Sequence, residues 1–436
     1  MKTRLGRWFT VLSLVVALAV VFGTAVTFGQ AKTEIRYALW DKNQVPAAEA
    51  IIAAFEAANP DVDVKIELIA PSSQYWDKML ALAVSKDLPD VFWVNMDRFH
   101  TLATRGVFMS MAPFLESDPQ ARALLADYPD VLIKAYEYEG ALYGFPKDFD
   151  TIALAYNKDL FDKAKVAYPN EHWTWDDYLK AAQALTVRDA RGRTVQFGTV
   201  SANAVQTNWY NFVLSNGGKM LNEDRTKAVI NRPEAVEAIQ FLVDLVLKYK
   251  VSPAAGATAE LGVSNLNELF TTQRAAMLPI GSWYPIRFKD VPFNWGLAPM
   301  PKGAKGNGGM IHGLAHVISA YTKHKDAAWR LVRFMATDDA QQVWGKTGTV
   351  IPAKKSAQES YFKFYEQGGK DEHNIRVFQR ALAYSETLQY TSNTAEWLDD
   401  TLIKQLALAW SGEKSVKQVL DECASAMDRI LAEQIR

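Results

Sequence analysis

The chain has 436 residues, too many for one ordinary core and suited to two bodies of roughly 150–200 residues each. Hydrophobic residues make up 49% and charged residues 22%, the composition of a folded globular protein and not of a disordered one. A formal charge of −1 excludes the basic field that holds nucleic acid or an anionic membrane surface.

In chain order, the first element is an export signal. Lys2, Arg4 and Arg7 form a positive start, no charge follows from Trp8 to Ala31, and Val11 to Val26 is nearly all apolar. Thr27 with Gly29, or Gly29 with Ala31, then sets small residues two apart. This predicts a signal peptide over 1–31, cut after Gly29 or Ala31. An uncleaved membrane anchor is the alternative, since the run is long enough to span. Gly23, Thr24 and Thr27 thin its apolar end and weigh against that. Loss of Lys2, Arg4 and Arg7 takes the formal charge from −1 to −4. Cys423 is the single cysteine, so no internal disulfide and no lipidated cysteine behind the apolar run are expected. An exported chain of this kind fits the periplasm. Cys423 itself reads as a small buried apolar residue.

Beyond the leader, Ile35 to Trp40 reads as a strand and Ala47 to Ala58 as a helix stopped by Asn59-Pro60. Val62, Val64, Ile66 and Leu68 alternate as a second strand, Gln74 to Ser85 is helical, and Asp90 to Val94 is a short buried strand. Strand–helix alternation predicts an open α/β sheet whose ligand sits beyond the carboxyl ends of the strands. Gly144 to Tyr156 reads as extended. Helices are predicted at 174–185, with Thr174 and Asp177 as a cap, and at 204–215 and 233–248. The last hundred residues read as helices at about 324–346, 356–368, 372–384, 394–411 and 413–434.

Signatures of catalysis are missing. There is no Gly-x-Ser-x-Gly elbow and no His-Glu-x-x-His. Gly345-Lys346-Thr347 resembles the end of a phosphate loop, but Ala340 stands where the first glycine belongs, in a helical stretch. Six histidines and one cysteine are too thinly spread for a zinc site. No cofactor, no metal and no enzyme activity are therefore expected. Two carboxylates suffice for a glycosidase, so a secreted glycan hydrolase using Asp97 and Asp150 stays as a rival.

Aromatic residues are 12% of the chain, with thirteen tryptophans. Trp40, Tyr75, Trp76, Trp93, Trp209, Tyr210, Trp283 and Tyr284 fall at predicted strand ends or loops. Sugar rings stack their C–H faces on such side chains, while their hydroxyls need hydrogen bonds and favour carboxylate acceptors. Asp97 follows a predicted strand, and Asp148 and Asp150 flank Phe149 in the extended segment. For any one of these residues, core packing or a solvated loop is the plainer reading.

Six motifs, in this order, resemble the extracellular solute-binding proteins of the maltose-binding type, family 1. They are Leu88-Pro89-Asp90-Val91-Phe92-Trp93, Leu142-Tyr143-Gly144-Phe145-Pro146, Tyr156-Asn157-Lys158-Asp159-Leu160-Phe161, Trp173-Thr174-Trp175-Asp176-Asp177-Tyr178, the pair Ala275-Ala276-Met277 and Ile280-Gly281-Ser282-Trp283, and Trp295-Gly296-Leu297-Ala298-Pro299-Met300-Pro301. The resemblance spans nearly the whole mature chain. It implies a two-lobe periplasmic binding protein fold of type II, with three interlobe crossings and a helical C-terminal region. Lobe one would be 32–148 plus 299–337, and lobe two 149–298 plus 338–436. The crossings would fall near Lys147–Thr151, Leu297–Pro301 and Ala336–Asp338. It also implies a carbohydrate held between lobes that close on it, and delivery by a monomer to an ABC permease. Trp40, Asp41, Trp93, Asp97, Arg98 and Asp150 match binding positions on the lobe-one side and at the first crossing. Trp209 or Tyr210, Trp283 with Tyr284, and Trp397 match stacking aromatics of lobe two, and His312, beside Gly308-Gly309 and Gly313, lies in a loop that approaches the ligand. The same fold binding a polyol or glycerophosphate-type solute is the alternative.

Overall fold

The computed structural model describes residues 31–366 and 369–433. The expected leader, up to Gln30, lies outside them.

Two sheets organise the chain. The first begins with β1 (Thr33–Leu39), α1 (Val45–Ala58), β2 (Val62–Leu68), α2 (Ser72–Ser85), β3 (Val91–Asn95) and α3 (Met96–Thr104). β1 lies between β2 and β3 and is parallel to both. Strand Leu314–Ile318 pairs antiparallel with β3 on one side and with Gly144–Pro146 on the other, which completes five strands. Ile35, Tyr37, Ala38 and Leu39 of β1 are all buried, as a central strand covered on both faces requires. Helix periodicity places Ala48, Ile51, Ile52 and Phe55 of α1 on its buried face.

The second sheet is antiparallel. Ile152–Asn157, buried throughout, runs between Met277–Gly281 and Trp295–Ala298. Helices Trp175–Leu185, Pro233–Leu247 and Val416–Glu433 belong to this body, and the last two pack on each other. Thr174 and Asp177 form the expected reciprocal cap of the first of these helices. Cys423 is buried in the last one, and burial pushes its thiol up to about 12.

The chain leaves the first sheet at Pro146 and enters the second at Ile152, then leaves the second at Ala298 and returns to the first at Leu314. The third passage differs from expectation. The helix expected over 324–346 breaks into Lys325–Met335 and Asp338–Lys346, and Thr337 caps the second half. That second half packs on α1, and its fully buried Trp344 ring lies 6.1 Å from that of Trp93. Residues 338–346 therefore lie with the first body, not the second, because Trp344 completes the first body's core. The chain then pairs Ile351–Pro352 with Asp148–Phe149, beside the first passage. Two further helices are locally widened: Val205–Trp209 and Ala395–Ile403 are π-helical turns, each followed by ordinary helix.

Candidate functional site

A cavity of about 380 Å³ opens where the two bodies meet. It lies beyond the carboxyl ends of the parallel strands, where open α/β sheets hold ligands. Trp40 and Asp41 follow β1, Ser72 and Ser73 begin α2 after β2, and Asn95, Asp97 and Arg98 form the turn from β3 into α3. Asp148 and Asp150 come from the first passage between bodies, and His312 and Leu314 from the return. The second body contributes Trp283 and Gln206, the latter from the first widened turn.

Three indoles face this space. Trp40 is fixed by edge contacts with Tyr75 at 4.8 Å and Trp93 at 5.1 Å, and its ring lies 6.0 Å from that of Trp76. Trp283 stands across from them. A Cβ on Gly281 would come within 1.7 Å of the Trp283 ring, so only glycine at 281 lets the indole fold back over the strand end. Between them Ser282 points the other way, and its Oγ donates to Asp150 at 2.6 Å.

Charge is arranged in layers behind the indoles. Lys147 is fully buried and held between the rings of Trp93 at 4.5 Å and Trp344 at 4.3 Å. Its Nζ donates to Gln44 Oε1 at 2.6 Å and to Asp148 Oδ2 at 2.5 Å. Asp148 Oδ1 accepts from the Leu314 backbone N–H. This satisfies a lysine whose burial would otherwise be prohibitive. Asp150 pairs backbone to backbone with His312. Burial, and after it the Asp148 charge, push Asp150 up to about 7. His312 Nε2 lies 3.6 Å from Asp97 Oδ1, an ion-pair distance too long for a hydrogen bond. Burial alone would lower the His312 imidazole, but Asp97, with Asp150 and Asp148, holds its pKa above the ordinary value. Burial works to raise Asp97, and His312 and Arg98 outweigh it, so Asp97 is lowered.

Ion pairs join the bodies on both sides of the cavity. Arg287 Nη2 reaches across to Asp41 at 3.5 Å. Arg98 Nη1 reaches Asp399 Oδ2 on the second widened helix at 2.6 Å. Among the described residues no group of His, Cys, Asp and Glu is placed to hold a metal ion.

Seven of the twelve residues singled out in the sequence line this cavity: Trp40, Asp41, Asp97, Arg98, Asp150, Trp283 and His312. The other five do not. Trp93 is buried in the first core, where its Nε1 donates to Tyr37 Oη at 2.6 Å, and it backs Trp40. Trp209 and Tyr210 are buried in the second core, because the widened turn rotates Gln206 toward the cavity and these two rings away from it. Trp397 is buried with its Nε1 on Thr391 Oγ1, and Tyr284 packs on Phe288 beneath Arg287. The glycines near His312 serve packing within the protein. A Cβ on Gly308 would meet Ser215, on Gly309 Ser385, and on Gly313 the Asp148 carbonyl, each within 2.5 Å.

Sequence reasoning missed Gln44, Ser72, Ser73, Asn95, Gln206 and Val350 as wall residues, and set Trp76 and Asp148 aside. Ser72 and Ser73 had a signal, since they open the helix after β2, at the sheet's carboxyl edge. Val350 had none.

A family model described as bacterial extracellular solute-binding protein matches residues 41–342, more than half of the chain. A galactooligosaccharide-binding protein of Bacillus subtilis is 26% identical over 320 residues, 72% of each chain. In structure the chain is similar to an ABC substrate-binding protein from Listeria monocytogenes in complex with cycloalternan. There the TM-score is 0.82 and the identity 26%, with 92% of this chain and 99% of the other covered. It is also similar to UgpB from Mycobacterium tuberculosis in complex with glycerophosphocholine, with a TM-score of 0.79 over 93% and 100% of the two chains. At 18% identity that likeness shows the fold alone. Two α/β bodies, a polar and aromatic cleft between them, and the family match make this chain a member of the bacterial extracellular solute-binding proteins.

Proposed function

We propose that this protein is the ligand-capture component of a bacterial ABC importer, and that it holds a sugar or short oligosaccharide in the cleft and hands it to a membrane permease. One observation carries the reading: the indoles of Trp40, Trp76 and Trp283 share a cavity with the acids Asp41, Asp97 and Asp150 and the amides Asn95 and Gln206. Flat apolar faces next to multivalent hydrogen-bonding groups are what a pyranose ring demands. Each stack contributes about 1 kcal/mol, and with several charge-assisted bonds the sum reaches micromolar affinity. A cavity of about 380 Å³ is of ordinary size for a small-molecule site.

A phosphorylated ligand fits less well. Four aspartates and a single arginine line the space, and that arginine already pairs with Asp399. A hydrolase reading fails on family membership, since these proteins are transport components. The two bodies act as lobes that close on the ligand, and the permease reads the closed form. The leader directs a monomer to the periplasm and is cut after Gly29 or Ala31.

A melting-temperature screen of purified protein against mono- and oligosaccharides tests this, with chromatography of the sugar afterwards. Binding that raises the melting temperature and leaves the sugar intact supports the reading. No shift with any sugar, or a cleaved product, overturns it.

A further inference from the structure

One buried amide lies between two walls of the cavity. Gln206 faces the cavity from the widened turn Val205–Trp209, and His312 faces it from the passage that returns to the first sheet. Asn211 is 1% exposed and sits on Tyr210–Ser215, the ordinary helix that continues the turn. Its Nδ2 donates to the Gln206 carbonyl at 2.7 Å and to the Asn208 carbonyl at 3.3 Å. Its Oδ1 accepts from the Met310 N–H at 3.0 Å, two residues before His312. Both ends of the amide are used, and only this orientation matches donor to acceptor at every contact. Asn211 does not line the cavity itself, so any effect it has there passes through its neighbours.

The widened turn depends on being held. In it the Tyr210 N–H reaches back five residues to the Val205 carbonyl, and the helix register shifts at that point. The shift sends Gln206 to the cavity and Trp209 and Tyr210 into the core. Relaxation by one residue of register would swing Gln206 about 100° around the helix axis, out of the wall. The returning segment is packed against the same helix. A Cβ on Gly303 or Gly308 would come within 2.6 Å of the Ser215 backbone, and the Lys305 N–H donates to the Ser215 carbonyl at 3.0 Å. At the other end of the turn, Asn203 Nδ2 donates at 2.8 Å to the Ile403 carbonyl, which ends the second widened helix, and Asp399 of that helix pairs with Arg98 of the first body.

We propose that Asn211 is a positioning residue for ligand capture. It locks the turn that presents Gln206 and ties that turn to the returning strand Gly309–Ile311, so that the two walls move together as the lobes close. This rests on the ligand-capture reading above.

The test is calorimetric titration of wild type, Gln206→Ala, Asn211→Leu and the double variant. The probe is whichever of the maltodextrins and galacto-oligosaccharides of two to six units gives the largest melting shift with wild type. Gln206→Ala removes a cavity-facing amide and should weaken binding about threefold to tenfold, the size of a neutral hydrogen bond. Asn211→Leu should cause a similar loss. The double variant should stay within about twofold of Gln206→Ala alone, because Asn211 acts through Gln206. An asparagine that only holds the fold together gives losses that multiply in the double variant, or a lower melting temperature with affinity unchanged, and either result overturns the proposal. Hydrogen–deuterium exchange of wild type and Gln206→Ala decides the matter without a buried substitution. Saturating sugar should slow exchange at 309–311 in wild type and much less in Gln206→Ala, while 40–44 is slowed in both. Equal slowing at 309–311 overturns the tie and leaves the ligand reading standing. No binding of any of these sugars to wild type sinks the sugar reading itself and this proposal with it.

Discussion

Arg98 Nη1 and Asp399 Oδ2 lie 2.6 Å apart and tie the first turn of α3 to the widened helix of the opposite body. Arg105 and Glu396 at 3.5 Å, and the Ala395 N–H on Thr101 Oγ1, extend the same seam. Arg287 and Asp41 close the other side. The bodies thus meet through ion pairs that involve two of the cavity's own wall residues, Arg98 and Asp41. Asp399→Asn should lower ligand affinity two- to fivefold, as loss of a partly exposed pair worth roughly 0.5–1 kcal/mol implies. Distances between spin labels on the two bodies should lengthen in the ligand-free variant. The difference from wild type should shrink in high salt.

Trp283 and Trp93 should behave oppositely. Trp283 is half-buried at the cavity, so Trp283→Ala should cut affinity about threefold to tenfold and leave the ligand-free melting temperature within a few degrees. Trp93 is wholly buried, so Trp93→Ala should cost about 3–5 kcal/mol of stability by denaturant unfolding. Gly281→Ala should mimic the first variant, since its methyl displaces the Trp283 ring.

Lys147→Met should destabilise the protein by about 3–5 kcal/mol, because it leaves the buried Asp148 carboxylate without its cation. Adding Asp148→Asn should restore much of that loss. Urea unfolding of the single and double variants measures both.

Two cleft groups bind protons more tightly in the folded state. Asp150 is raised to about 7 and His312 is raised above 6.5. A raised pKa contributes stability that is complete below the ordinary value and is lost as pH climbs through the folded one. The melting temperature should therefore fall between pH 5 and pH 8. Asp150→Asn, which keeps an acceptor for Ser282, should flatten that slope. Asp97 is lowered, so its contribution has the opposite sign and disappears only in acid, below its ordinary value of 3.8.

Sequence pattern made the first sheet legible from Ile35 to Val94, because β1 and β3 are short, largely apolar runs covered on both faces, while β2, α1 and α2 each bury one face. The wall residues that follow β1 and β3 were legible for the same reason: a strand's end is visible in its pattern. The second body was harder. The break at Ala336–Thr337 and the docking of Trp344 on the first body depend on tertiary packing that periodicity does not encode. The widened turn at Val205–Trp209 shifts the helix face, so Gln206 and not Trp209 meets the cavity. No local residue pattern announces such a turn. Burial of an aromatic residue is likewise invisible from its type alone, which is why Trp93, Trp209, Tyr210 and Trp397 looked the same as Trp40 and Trp283.

Hydrogen–deuterium exchange with and without the best-binding oligosaccharide is the most direct measurement of the account. Added sugar should slow exchange together at 40–44, 72–76 and 95–98 of the first body and at 282–287 of the second, the segments that wall the cavity. Slowed exchange in one body alone, or at a surface remote from these segments, would contradict the claim that both halves grip one ligand.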